Sequence, residues 1–274
     1  MCNSIKKVLS PIYRFFFRIW FGLRNEWTLS NFIIRCKYRK VFRELKNTHK
    51  GERCFIIGNG PSLTADDLTL LKDEYTFAAN RIYYMFDKTP WRPTYYCAQD
   101  IVVVDDIISD LPKVARECKK MFLISACYKQ VDEELRNNSN VLFFVAKYVS
   151  AHKERLFSDD VEKYVSGGGS ITYAAIQLAV YMGFSEIYLI GVDHNYAATS
   201  FKDNHVSTSD VAGSYFEGMP TNIKMTKPNT DNATLSFMKA KEYCDSRGIK
   251  IVNATRGGKL EVFPRVNLEV VLGK

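Results

Sequence analysis

The chain has little with which to hold a metal or staple itself together. Its four histidines and seven cysteines (Cys2, Cys36, Cys54, Cys97, Cys118, Cys127, Cys244) form no C-x-x-C pair and no zinc-ligand spacing, which excludes a zinc module. The cysteines are odd in number and mostly sit in apolar runs, where a free thiol packs as a small hydrophobe. This suits a reducing cytoplasm better than a disulfide scaffold. No Gly-Lys-Ser/Thr closes a glycine-rich turn, and the one G-x-G lacks the third glycine of the dinucleotide fingerprint because Leu63 stands there. No uninterrupted apolar run reaches the roughly 20 residues that a membrane crossing needs. Internal repeats and low-complexity tracts are missing as well.

What is present is a chain of 274 residues, 46% hydrophobic and 14% aromatic, enough for one sizeable core. Its charge is uneven. Residues 1–50 hold twelve Lys or Arg against two Glu, a net of +10, so the other 224 residues carry −2 of the chain's +8. A core without a basic face does not point to nucleic acid. The basic segment is also aromatic, with Ile12-Tyr-Arg-Phe-Phe-Phe-Arg-Ile-Trp-Phe-Gly-Leu interrupted by Arg14 and Arg18. That pattern predicts an amphipathic helical arm over 1–50 lying on the inner face of a membrane, aromatics dipping in and cations on anionic lipid. The competing reading is a helix packed on the core with a solvated basic face.

From Gly51 short apolar runs alternate with helical patterns, as in βαβ units. Strands are expected at Cys54–Ile57, Thr76–Ala79, Thr94–Ala98, Met121–Ser125, Val141–Val145, Glu186–Ile190 and Lys250–Val252, several too apolar for anything but burial on both faces. Helices are expected after the capping-box-like Thr64-Ala-Asp-Asp67, over Ser170–Met182, and over Asn232–Ser246 before Arg247-Gly248. The fold class is therefore α/β: a Rossmann-like, mostly parallel sheet with helices on both faces, in one domain spanning 51–274. The polar stretch at about 195–230 reads as a lid or binding loop.

The most informative stretch is Cys54-Phe-Ile-Ile-Gly-Asn-Gly-Pro-Ser-Leu, a buried strand ending in a glycine turn just before a helix. Such a turn aims backbone N–H groups and a helix dipole at one point, which favours a phosphate; Gly58, Asn59, Gly60 and Ser62 are its candidates. Asn80, Gln99, Asp100 and Asp193 stand where later strands end, the side on which open α/β sheets bind ligands. Ser170 and Thr172, after a run of three glycines, open a helix and could hold ribose or a second phosphate. His194 and His205 fall in or beside the long loop, and either could deprotonate a hydroxyl near neutral pH. Magnesium through Asp100 or Asp193 stays open.

Phe55-Ile-Ile-Gly-Asn-Gly-Pro-Ser-Leu, Ala79-Asn80 and Gly183-Phe-Ser-Glu-Ile-Tyr-Leu-Ile-Gly-Val-Asp193 resemble the superfamily joining bacterial CMP-sialic acid sialyltransferases, flagellin-modifying motility accessory proteins and 6-hydroxymethylpterin diphosphokinase-like proteins. The resemblance runs from about Gly51 to Val271. It implies nucleotide contacts at Gly58, Asn59, Gly60, Ser62, Asn80 and Ser170, with Gln99 or Asp100 after the third strand. It also implies metal-free transfer, a loop His as base and tyrosines on the leaving phosphate. The position nearest that His holds Met225-Thr226, which moves the base to His205 or His194 and leaves Tyr196 and Tyr215 as the phenols. The ending Val252-Asn-Ala-Thr-Arg-Gly-Gly-Lys resembles members found beside surface-polysaccharide genes.

The expected activity is thus an inverting glycosyltransferase using a nucleotide-sugar, CMP-linked first, on a glycan or lipid-linked acceptor in polysaccharide or lipopolysaccharide synthesis, with no required cofactor. Mg²⁺-dependent diphosphate transfer from ATP to a pterin alcohol is the rival enzyme. A non-catalytic nucleotide sensor at the membrane is the third reading, and a homo-oligomer is compatible with each.

Overall fold

The computed structural model describes residues 26–148, 155–195, 201–202, 205–206, 213–220, 223–224 and 226–274. Tyr196 and the first half of the basic arm, including Arg14 and Arg18, lie outside the described residues. Seven parallel strands form the sheet: β1 (Arg53–Ile57), β2 (Thr76–Ala79), β3 (Tyr95–Ala98), β4 (Lys120–Ile124), β5 (Val141–Phe144), β8 (Glu186–Ile190) and β11 (Lys250–Asn253). Two small two-stranded ribbons supply the rest: parallel β6 (Ala146–Lys147) with β7 (Val165–Ser166), and antiparallel β9 (Phe201–Lys202) with β10 (His205–Val206).

Successive side chains of a strand point to opposite faces, and every residue of β2, β3 and β5 is buried, so both faces are covered. This is why those strands read as continuous apolar runs. The order β11-β8-β1-β2-β3-β4-β5 has β1 paired on one side with β2 and on the other with β8, 130 residues downstream, with register Ile57 to Ile190. The chain therefore reverses its direction of sheet growth at β1, and the crevice beyond β1 and β8 is the switch point.

Helix α1 is Glu26–Leu45, α2 Ala65–Leu70, α3 Ile101–Ile107, α4 Leu111–Glu117, α5 Glu133–Asn137, α6 Ile171–Met182, α7 Thr230–Asp245 and α8 Leu268–Val271. Asp67 does complete the capping box of α2: Thr64 accepts from the Asp67 amide, and Asp67 accepts from the Thr64 amide. Helix α6 is buried nearly all round, lies over β1, β2 and β3, and stops at Gly183, whose φ of 95° is the left-handed cap that glycine adopts freely. Helix α7 packs on α6 and β11.

The second half of the basic segment is α1 itself, which lies on the core. Ile34, Tyr38 and Phe42 are buried; Tyr38 meets Phe143 of β5 at 5.7 Å and Phe42 meets Phe122 of β4 at 6.2 Å between ring centroids. The opposite face leaves Leu29, Phe32 and Ile33 more than half exposed beside the cations. No described helix is long and apolar enough to cross a membrane. Because Phe42 is 4% exposed, Phe42→Ala is expected to lower the unfolding free energy by about 3–5 kcal/mol in urea titration. A loss under about 1 kcal/mol would mean that α1 is an appendage.

Candidate active site

The carboxyl ends of β1 and β8 come together with no side chain between them. A Cβ on Gly58 would lie 2.3 Å from the Gly191 carbonyl oxygen, and one on Gly60 would lie 1.9 Å from the Asp193 carboxylate. Glycine is required at both positions by this close approach. Beyond the junction opens a cavity of about 680 Å³, the size of a small-molecule site.

Gly58, Asn59 and Gly60 of the glycine turn line this cavity, and two of their amides already have partners. The Gly58 N–H donates to Ile190 O (2.8 Å) and the Gly60 N–H to Gly191 O (2.9 Å), so the inter-strand ladder continues into the turn. The Ser62 hydroxyl (2.7 Å) and, more weakly, its N–H (3.5 Å) donate to Asp193, and Ser62 is not in the cavity wall. The following helix α2 has only six residues, with its cap filled by Thr64 and Asp67 and with Arg256 paired to Asp67. The Gly58 and Gly60 amides are therefore engaged in holding β1 to the β8 end, and the Ser62 donors are engaged with Asp193, which lines the cavity beside Gly58, Asn59 and Gly60. Burial pushes the Asp193 carboxyl above its ordinary range, with the Ser62 hydrogen bonds pulling the other way.

The cavity receives two other helix starts instead. Gly169, with φ 75° and Asn232 Nδ2 only 2.6 Å from where a Cβ would be, lets the beginning of α6 nest against the beginning of α7. Ser170 caps α6 by accepting from the Thr172 amide at 3.2 Å, and Asn229 caps α7 by accepting from the Asn232 amide at 2.9 Å. Ser170, Thr172, Asn229 and Asn232 all line the cavity, so the positive ends of two macrodipoles lie on its rim beside Lys227.

The other strand ends supply polar groups. Asn59 spans β1 and β2 by donating to Ala79 O (3.0 Å), and its carbonyl accepts from Phe216 of the long loop (3.1 Å). Asn80 has φ 53°, a left-handed conformation that Asn tolerates. Gln99 donates to the Tyr148 hydroxyl at 3.1 Å. Asn59 Oδ1, Asn80 Oδ1, Gln99 Oε1 and Ser214 Oγ are buried in this cavity wall without a protein partner, and each such group costs free energy unless a ligand or water meets it. Asp100 is committed elsewhere: it caps α3 through Val102 (2.9 Å) and holds Thr226 by its N–H (3.1 Å) and hydroxyl (2.9 Å). Asp106 ties the same loop through the Lys224 N–H (3.2 Å) while pairing with buried Arg81. Both carboxylates named for Mg²⁺ line the cavity and already accept protein hydrogen bonds, Asp100 from Thr226 and Val102 and Asp193 from Ser62. Among the described residues no group of three or more His, Cys, Asp or Glu is placed to hold a metal.

Of the expected catalytic groups, His194, Asp193 and Tyr215 line the cavity. His205 sits on β10 of the short ribbon and its side chain is not described. His194 is half-buried at φ 53°, edge-on to Phe237 at 5.8 Å; burial lowers its pKa below 6.5, with Asp231 pulling it up. Sequence reasoning missed Arg81, Tyr148, Ser214, Lys227 and Asn229. Asn229-Thr-Asp was a legible cap signature; the others carry no local signal.

Fold and cavity together define an open, doubly wound α/β protein with a ligand-sized site at its switch point. The chain belongs to the 6-hydroxymethylpterin diphosphokinase MptE-like family, which it matches over residues 30–199. Among curated proteins no significant match is found. Among solved structures it is similar to the MAf glycosyltransferase of Magnetospirillum magneticum AMB-1, with TM-score 0.50 and 15% identity, over 85% of this chain and 38% of that one. It is also similar to the sialyltransferase CstII of Campylobacter jejuni solved with cytidine-5'-monophosphate, with TM-score 0.44 and 16% identity, over 79% of this chain and 85% of that one. At such identities the likeness is one of fold, and the chain spans well under half of the first protein's length.

Two substitutions separate the roles of the junction. Gly58→Ala drives a methyl into backbone and is expected to cost about 1–3 kcal/mol of stability in chemical denaturation. Gly60→Ala meets the Gly191 carbonyl oxygen less closely, at 2.8 Å, and otherwise displaces the Asp193 side chain from Ser62, so its stability loss is expected to be the smaller of the two. The reverse order would mean that the β1–β8 contact is looser than drawn.

Proposed function

We propose that this chain is an inverting glycosyltransferase that takes its sugar from a nucleotide-linked donor, CMP-linked by the resemblance of the Phe55–Leu63 motif, and passes it to a hydroxyl of a glycan or lipid-linked acceptor. The observation that carries this is the meeting of one neutral imidazole, His194, and two helix N-termini in a single cavity. In the reaction His194 takes the acceptor proton, the acceptor oxygen bonds to the anomeric carbon, and the bond from that carbon to the phosphate oxygen breaks with its electron pair leaving on the phosphate. The starts of α6 and α7, Lys227 and the Tyr215 phenol stand where that charge develops, and such stabilisation is commonly the largest catalytic contribution. Tyr196 would join them from the loop. The unpartnered Asn80, Gln99 and Ser214 oxygens suit the donor groups of a nucleoside.

One observation favours a second reading, ATP-dependent diphosphate transfer to a pterin alcohol: the family itself. That chemistry needs metal and phosphate clamps, and here Asp100 and Asp193 would first have to leave Thr226 and Ser62. A thermal-shift series with CMP, CDP, UDP, GDP and ATP, each with and without Mg²⁺, separates the two. Stabilisation by CMP without metal is expected, and a response confined to Mg-ATP would reverse the ranking. His194→Asn is expected to lower kcat about 100-fold or more while nucleotide stabilisation persists. Because burial depresses the His194 pKa below 6.5, the unprotonated base predominates at pH 7. kcat/KM should fall only as pH drops through a midpoint below 6.5, and a midpoint above 7 would exclude His194 as the base.

Residues 1–25, with the exposed Leu29, Phe32 and Ile33 of α1, form on this proposal a foot on the anionic cytoplasmic leaflet, which brings the site to a lipid-linked acceptor. Co-sedimentation with phosphatidylglycerol vesicles but not phosphatidylcholine vesicles, weakened by 0.5 M salt and abolished by deleting residues 1–25, is expected. Concentration-dependent dimerisation that Phe32→Asp abolishes, without vesicle binding, would assign the same face to a second copy.

A further inference from the structure

The base nitrogen of His194 is set by Thr234. Helix α7 presents Thr234 and Phe237 one turn apart, and both touch the His194 ring, Phe237 edge-on and Thr234 through Oγ1 at 2.7 Å from Nε2. A threonine hydroxyl has one proton, and Thr234 Oγ1 also lies 2.9 Å from the Thr230 carbonyl one turn back, which can only accept. With the proton given to that carbonyl, a lone pair of Oγ1 faces the imidazole and Nε2 carries the hydrogen. In a neutral ring that leaves Nδ1 as the acceptor.

The surroundings fix the backbone that carries the ring. The backbone ahead of it is pinned, since the Lys259 N–H donates to Asp193 O at 2.7 Å and a Cβ on Gly258 would lie 2.7 Å from that same oxygen. His194 keeps a left-handed φ of 53° in this setting, a conformation that persists only where neighbours over-determine it. Thr234 belongs to the wall of a shallower outer groove and not to the main cavity, whereas His194 lines both. The Nε2 edge therefore points away from the cavity, and among the described residues nothing bonds Nδ1.

We propose that Thr234 is a positioning residue: by accepting from Nε2–H it holds His194 in the one tautomer whose unprotonated Nδ1 can receive the acceptor-hydroxyl proton. Burial keeps the ring neutral and Thr234 decides which nitrogen is basic. This rests on the transfer reading above only for its kinetic consequence; the tautomer itself is a property of the protein alone.

The test combines spectroscopy and kinetics on the full chain. With four histidines, the ¹⁵N-labelled imidazoles can be assigned by comparison with His194→Asn, and long-range ¹H–¹⁵N spectra report the protonated nitrogen. The native protein is expected to show His194 protonated on Nε2 at pH 7.5. Thr234→Val should give a mixture of tautomers and lower kcat by about tenfold or more with the KM for the nucleotide donor little changed, and Thr234→Ser should restore both. A His194 protonated on Nδ1 in the native protein overturns the proposal, as does a Thr234→Val variant that keeps the Nε2–H signature. Should no nucleotide-sugar be turned over by the native protein, the transfer reading fails while the spectra still decide the tautomer. Turnover that survives Thr234→Val unaltered would instead fail the positioning role alone. Thr234→Ser retains the hydroxyl and the helix, so a folding defect in the valine variant cannot be mistaken for loss of the hydrogen bond.

Discussion

The close approach of β1 to β8 is the constraint from which the site follows. Two strands 130 residues apart in sequence run parallel to their ends and stay hydrogen-bonded past them, because Gly58, Gly60 and Gly191 put no side chain in the way. Asp193 then locks the turn by accepting from Ser62. A rigid seam at the switch point makes the hollow beside it a cavity of fixed shape rather than a flexible cleft. It also engages the Gly58 and Gly60 amides, and a donor used in the ladder cannot serve a phosphate as well.

The starts of α6 and α7 meet on the other side of the cavity. Their starts can meet because the glycines before α6 allow Tyr173, Ser236 and Asn232 within contact distance of the backbone. The long loop flanks the cavity through Ser214 and Tyr215 and is held both by apolar packing, with Phe216, Met219 and Ile223 buried in the core, and by hydrogen bonds: Asp100 and Asp106, beside and on α3, hold Thr226 and Lys224, and the Asn59 carbonyl holds Phe216. Asp100, one of the two carboxylates the sequence offered to a metal, thus serves as a fastener of the loop. Hydrogen-bonded fasteners of this kind can release at modest cost.

Within that enclosure the groups are sparse and specific. One imidazole stands in the wall, one lysine and two dipole ends lie on the rim, and a set of buried oxygens lacks protein partners. Burial both lowers the His194 pKa and makes each unpaired oxygen costly, so the same low-dielectric setting favours the neutral imidazole and a ligand or water on those oxygens. The family holds diphosphokinase-like members, and one fold can carry several chemistries; the distribution of donors and acceptors in this cavity is what argues for transfer from a nucleotide.

The sequence by itself determined the elements and their class. All seven strands of the sheet were legible as apolar runs, α6 by its 3.6-residue rhythm, and the Thr64–Asp67 box by its spacing, because these depend on neighbours a few residues away. It also marked Gly58–Gly60, Asn80, Gln99, Asp193 and His194 as strand-end residues. Only the tertiary structure decided what those residues do. That Asp193 fills the glycine turn depends on a contact across 131 residues, that Asp100 holds a loop on one across 126, and that Thr234 faces His194 on one across 40. In α1 the apolar residues Leu29, Phe32 and Ile33 and the apolar residues Ile34, Tyr38 and Phe42 are equally apparent in sequence, yet only packing against β4 and β5 selects which set is buried. Local hydrogen bonding and periodicity are written along the chain, whereas the partner of a polar side chain is chosen in space.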